Sequence, residues 1–203
     1  MYIELILSVV IGYLIGSVPF ALVVGKVFFK TDVRQFGSKN PGGCNTGRVL
    51  GKKAGLAVMT LDLLKTTVAI YLASHFENAR ITMIIAGLAA AIGHCFPLFA
   101  GFKGGKAVAA LYGFLFGMGL FTECSMWAFF LPLLVFVAVL FVSKIVSLSS
   151  ICGAVSSTIY LVICMDWWLL WVVSLVLTFI VIVRHKVNIV RMIHGEENKI
   201  SWM

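Results

Sequence analysis

Three polar stretches in an otherwise apolar chain hold the side chains able to do chemistry. The first, residues 36–53 (FGSKNPGGCNTGRVLGKK), sets Ser38, Asn40 and Asn45 among glycines and beside Lys39, Arg48, Lys52 and Lys53. Glycine lets the backbone approach a ligand closely, so the amides of such a loop can converge on one small anion. Arg48 adds a planar fork suited to a phosphate or carboxylate. A basic loop between two membrane helices would account for the lysines, but not for the density of glycine, serine and asparagine. The expectation is an anion-binding loop.

Residues 93–110 (GHCFPLFAGFKGGKAVAA) form the second stretch. Pro97 disfavours helix at Phe96 and ends the preceding span there. Between Lys103 and Lys106, Gly104 and Gly105 would offer free amides just before an apolar helix, with Lys106 as a point charge. This is not a Walker loop: three residues separate Gly101 from Gly105, and Ala107 stands where a magnesium-binding Ser or Thr would be. A plain basic turn is the alternative. His94 is expected to be hydrogen-bonded to a neighbouring helix.

The third stretch is residues 184–199, RHKVNIVRMIHGEENK. If the helix runs on, Arg184, His185 and Asn188 share one face. A cationic cap at a helix end accounts for Arg184, Lys186 and Arg191 but not for His185 or Asn188. A further pair, Asp62 and Lys65, lies three residues apart inside an apolar span and reads as a buried ion pair.

These residues need a membrane scaffold. Of 203 residues, 61% are hydrophobic and only 12% charged, too little charge for a soluble domain. Apolar spans near 3–25, 54–74, 81–97, 107–121, 126–142, 145–165 and 167–184 predict an all-α polytopic protein of about seven transmembrane helices. The start lacks a basic region and a small-residue cleavage site, so residues 1–22 read as a permanent helix. With an external N-terminus and a cytoplasmic C-terminus, only Arg80 among the basic residues falls on an external turn, and Lys65 lies within a span. The remaining lysines and arginines gather inside, which brings all three polar stretches to the cytoplasmic face. The formal charge of +8 then reflects orientation and anionic lipid or substrate, not nucleic acid. Cys44, Cys95, Cys124, Cys152 and Cys164 show no disulfide or metal spacing, with Cys124 expected outside and Cys44 and Cys95 inside. One domain over residues 1–203, monomeric and without metal or cofactor, is expected.

Taken together, GSKNPGGCNTGRVLGKKAG, GHCFPLFAGFKGGKAVAA and RHKVNIVRMIHGEENKI resemble the three motifs of the bacterial acyl-phosphate:glycerol-3-phosphate acyltransferases, in order and spacing over nearly the whole chain. The resemblance implies an inner-membrane enzyme with a cytoplasmic active site. Its reaction would move a fatty acyl group from acyl phosphate to the 1-hydroxyl of glycerol 3-phosphate, giving lysophosphatidic acid and phosphate. It puts Ser38 and Arg48 on the glycerol phosphate, with Asn40 and Asn45 beside them. The turn of Lys103, Gly104, Gly105 and Lys106 would cradle phosphate, Lys106 as a direct ligand. His185 and Asn188 match polar ligands of the third motif, and Glu197 a structural anchor. Lys106, His185 and Asn188 would be the catalytic set, His185 as general base or as phosphate ligand. The sequence departs from the family pattern at Lys39 and Ala107, where glycine is common, and at Gly43, Cys44 and Cys95. A transporter or binding protein for a small phosphorylated solute is the competing class. Transporters place their ligand near the midplane, often on repeated halves, and no repeat is visible in this chain.

Overall fold

The computed structural model describes residues 2–200, and among them every regular element is a helix. In chain order these are α1 (Tyr2–Gly16), α2 (Phe20–Phe29), α3 (Gly43–Leu50), α4 (Lys52–Ala73), α5 (Ala79–Cys95), α6 (Val108–Phe121), α7 (Trp127–Ser143), α8 (Val146–Cys164), α9 (Trp168–Arg184) and α10 (Lys186–Ile193). Short 3-10 turns fill Val33–Gln35 and Leu98–Ala100. Every apolar span read from the sequence is helical. Four stretches are long and apolar enough to cross a membrane: Tyr2–Phe29, Lys52–Ala73, Ala79–Ala100 and Val146–Cys164. The bent pair α9 and α10 makes a fifth candidate, while α6 and α7 are shorter apolar helices.

Three boundaries differ from the sequence expectation. The first span is not one helix over 3–25; it breaks between Gly16 and Phe20, where Pro19 cannot donate, and α2 then runs on to Phe29. The glycine-rich stretch is not a loop throughout. Its second half forms α3, because Gly43 and Gly47 permit close contact with α4 at Gly55; a Cβ at Gly55 would lie 2.6 Å from Gly47 Cα. Nor does α9 continue through the third motif. The chain bends by 58° at His185, where the backbone N–H and the ring Nδ1 both reach the carbonyl of Val181.

Lipid offers no hydrophobic gain for helix association, so small residues and hydroxyl bonds hold the bundle together. In α1, Gly12 and Gly16 lie against Ala86 and Ala90 of α5, so closely that a Cβ on either would strike the partner backbone. The pairing ascends in both helices, so α1 and α5 run parallel. Thr158 of α8 bonds the carbonyl of Ser174 at 3.1 Å and the Thr178 hydroxyl of α9 at 2.9 Å. A core of Phe114, Leu111, Leu115, Ile70 and Leu161 fills the space between α4, α6 and α8. The starts of α4, α6 and α8 and the ends of α1, α5 and α9 meet at one end of the bundle, where all three polar stretches lie. Cys124 and Cys95 are buried, so neither can report sidedness to a thiol reagent, whereas Cys44 is exposed.

Candidate active site

A cavity of about 400 Å³ opens at that end. Its polar wall takes Ser38, Asn40 and Arg48 from the first stretch, Lys106 from the second, and His185, Asn188 and Glu197 from the third. The other wall is apolar, with Leu63 of α4, Val108 and Tyr112 of α6, and Phe129, Leu133 and Phe136 of α7.

Each polar side chain is placed by a local cause. Arg48 projects from α3 into the cavity, and no described residue takes a hydrogen bond or ion pair from its guanidinium. The opening turn of α3, Gly42 to Cys44, also lines the cavity at the positive end of that helix, with the Gly42 N–H bonded to the Asn40 carbonyl at 3.0 Å. Asn45 lines the space but serves the fold. Its Nδ2 donates to the carbonyls of Val33 (2.8 Å) and Phe36 (3.2 Å), and its Oδ1 accepts from the Ser38 N–H (2.8 Å). The expected ligand is therefore a staple that shapes the loop carrying Ser38. Upstream, Arg34 bonds the Asp32 carboxylate and holds its pKa down at about 2, while reaching the Ala100 carbonyl at 3.4 Å. The first and second stretches are thereby tied together.

The glycines of the second stretch do not cradle an anion as expected. The Gly104 N–H donates to the Cys95 carbonyl (3.2 Å) and the Gly105 N–H to that of His94 (3.0 Å), so both amides are spent. Their missing side chains answer to packing instead. A Cβ on Gly105 would sit 2.1 Å from His94 Nε2, and one on Gly104 would sit 2.1 Å from the His94 carbonyl oxygen. Lys103 is exposed and does not line the cavity, whereas Lys106 does and donates to Asn188 Oδ1. Arg184 fixes the same turn from the far side. Its Nε donates to the Gly105 carbonyl at 3.0 Å and its NH2 group to that of Gly104 at 2.7 Å, with the guanidinium over the Phe96 ring. Arg184 is thus a clamp, a role that the motif spacing alone did not reveal.

The bend at His185 orients the third stretch. A carbonyl only accepts, so the 2.8 Å contact to Val181 puts the hydrogen on Nδ1 and leaves Nε2 for a ligand. One turn on, Asn188 holds Lys106 through Oδ1 and donates through Nδ2 to Glu197 Oε1 at 2.6 Å. Glu197 also accepts from Ser147 at 2.9 Å, and the Ile200 N–H pins the tail to the Lys144 carbonyl at 2.8 Å. Glu197 is an anchor, as the resemblance implied, though it also lines the cavity.

Beside the polar wall, with Asp62 and His94 themselves lining the cavity, lies a buried network that the sequence showed only in pieces. Lys65 pairs with Asp62 at 2.7 Å and donates to the Val18 carbonyl at 2.8 Å, in the break between α1 and α2. Asp62 in turn lies 3.5 Å from His94 Nδ1. The broken first span, α4 and α5 are thereby joined behind the turn that carries Lys106. A buried cation, the Val18 carbonyl and an anion satisfy one another there, which the low dielectric demands. Among the described residues no cluster of three or more His, Cys, Asp or Glu side chains is placed to hold a metal.

An arginine with a free fork, a lysine, an imidazole with an open nitrogen and a helix N-terminus together suit a phosphate. Gly105→Ala should lower the affinity for inorganic phosphate at least tenfold by displacing the Lys106 turn. Gly101→Ala, at φ +63° but with open space around it, should cost only about 1–2 kcal/mol of stability and leave binding unchanged. Titration calorimetry with thermal unfolding in detergent checks both.

The family model described as glycerol-3-phosphate acyltransferase matches residues 6–195. A glycerol-3-phosphate acyltransferase of Listeria monocytogenes is 45% identical over 205 residues, covering all of both chains. One of Enterococcus faecalis is 40% identical, covering 98% of this chain and 93% of its own. Two crystal structures of PlsY (YgiH), an integral membrane glycerol 3-phosphate acyltransferase, share the fold. Its glycerol 3-phosphate form superposes with a TM-score of 0.89 at 32% identity, covering 97% of this chain and 96% of that one. The lysophosphatidic acid form gives 0.86 at 31%, covering 97% and 95%. The three motifs, the helical scaffold around them and full-length similarity have one common explanation: the chain belongs to the glycerol-3-phosphate acyltransferase family.

Proposed function

We propose that this protein transfers a fatty acyl group from acyl phosphate to the 1-hydroxyl of glycerol 3-phosphate, releasing lysophosphatidic acid and inorganic phosphate. The observation that carries the proposal is the cavity itself. Phosphate-binding groups from three separate stretches line one wall, and an apolar arm between α4, α6 and α7 leads away from them. That shape fits two phosphates side by side and one acyl chain. Arg48 and Ser38 hold the glycerol phosphate, Arg48 by its fork. Lys106 and His185 hold phosphate oxygens, and Asn188 keeps Lys106 in place.

The 1-hydroxyl oxygen attacks the acyl carbonyl carbon, the new ester C–O bond forms, and the carbonyl carbon–oxygen bond of the mixed anhydride breaks. The electron pair leaves on phosphate, whose oxygens take the hydroxyl proton. Because acyl phosphate is already activated, the protein contributes mainly position and charge stabilisation. Arg184 holds the turn that presents Lys106 from its far side, while Asp62 and His94 support it from within the cavity lining.

The same reading places the whole chain as one domain in a bacterial inner membrane, crossed seven times with α6 and α7 included, the N-terminus outside and the cavity facing the cytoplasm. The gathering of lysines and arginines at the cavity end supports this orientation. In single-cysteine variants of intact cells, an impermeant thiol reagent should modify Glu77→Cys, on the exposed turn before α5, and spare Cys44. Labelling of Cys44 alone would reverse the orientation.

Donor identity tests the reaction. Purified protein given labelled glycerol 3-phosphate should form labelled lysophosphatidic acid with palmitoyl phosphate. Palmitoyl-coenzyme A should give at least a hundredfold less, since nothing near the Lys106 turn is shaped for a pantetheine arm. Equal rates with the two donors would reject acyl phosphate as the specific donor. Uptake of glycerol 3-phosphate into sealed vesicles without product would favour transport.

A further inference from the structure

Along α7, Phe129 is the residue of the apolar lining farthest from the polar wall. Phe136, Leu133 and Phe129 recur at spacings of three and four, so they form one stripe along α7 that faces the cavity. The polar wall lies level with the last turn of α7 and the first of α8, where Ser147 and Ser150 line the cavity. From Ser143 back to Phe129 the helix descends by roughly 21 Å, most of a bilayer's hydrocarbon depth.

Phe129 is boxed in there by other rings. It lies 5.2 Å from Phe116, 5.3 Å from Phe130 and 6.0 Å, edge-on, from Tyr112. Tyr112 is itself fixed, its hydroxyl donating to the Pro132 carbonyl at 3.0 Å, and Gly153 leaves room for that hydroxyl. Ring-to-ring contact on three sides gives the Phe129 side chain little freedom to swing aside.

We propose that Phe129 is the specificity residue that sets the upper length of the acyl chain, by closing the arm in which the chain of the donor lies. The proposal rests on the acyl-transfer reading, because only a donor whose head sits at the polar wall would lay its tail along this stripe. A chain that reaches Phe129 fills the arm. Each further methylene must leave the arm or displace the ring, and so loses its burial against protein.

The test compares acyl phosphates of 12 to 20 carbons on the purified full-length protein. Phe129→Ala should move the optimum of kcat/KM to longer chains, by roughly fourfold for each methylene newly buried at ~0.8 kcal/mol. Leu133→Trp, which fills the middle of the arm, should move the optimum to shorter chains. The KM for glycerol 3-phosphate should stay the same in both, a separation that a general loss of packing would not give. The two shifts in opposite directions support the proposal, and if Phe129→Ala fails to fold, the Leu133→Trp shift still decides. An unchanged chain-length profile in the folded variants overturns it while leaving acyl transfer intact. Wild-type protein inactive with every acyl phosphate would overturn the acyl-transfer reading, and this proposal with it.

Discussion

Two hydrogen bonds from Arg184 to the carbonyls of Gly104 and Gly105 hold the candidate site together. They join the end of α9 to the turn before α6. The amides of the same two glycines reach back to the end of α5, so three helix ends meet in one short segment. Irregular backbone near a membrane survives only where protein groups satisfy it. In this turn a guanidinium supplies the donors and α5 the acceptors. Lys106, directly after the turn, is positioned by that satisfaction and not by its own helix.

The same logic explains the other breaks. Where α1 gives way to α2, the Val18 carbonyl accepts from the Phe20 N–H and, through its second lone pair, from the buried Lys65 ammonium. Lys65 is balanced by Asp62, and Asp62 faces His94, whose ring presses on Gly105. The charges inside the bundle therefore support the turn that carries Lys106, with Asp62 and His94 lining the cavity beside it. They are also expensive to remove singly, because a lone buried charge costs several kcal/mol.

Much of this was legible in the sequence. Apolar runs located α1 with α2, α4, α5, α6, α7, α8 and α9, since lipid solvation leaves a strong compositional mark. The three polar stretches identified the segments that build the cavity, because polar residues in such a chain need a purpose. What was hidden lay in backbone bonding. FKGGK reads as a cradle of free amides, and only the fold shows them spent on His94 and Cys95. Asn45 reads as a ligand until its amide is seen to be used by Val33, Phe36 and Ser38. The bend at His185 has no proline or glycine to announce it. Two departures from the family pattern gain a physical meaning. Lys39 and Ala107, where the motif resemblance leads one to expect glycine, adopt left-handed φ of 58° and 63°. Each costs about 1–2 kcal/mol relative to glycine, a penalty borne by the folded state and separate from the ligand groups. The substitutions touch backbone comfort, while Arg48, Lys106, His185 and Asn188 remain.

The account depends on the cavity being the place where glycerol 3-phosphate binds, with Arg48 as its bidentate partner. Calorimetric titration of glycerol 3-phosphate into purified Arg48→Lys protein tests this most directly, because lysine keeps the charge and loses the fork. The account predicts an affinity at least tenfold weaker than wild type at an unchanged unfolding temperature. Wild-type affinity in the variant would contradict it.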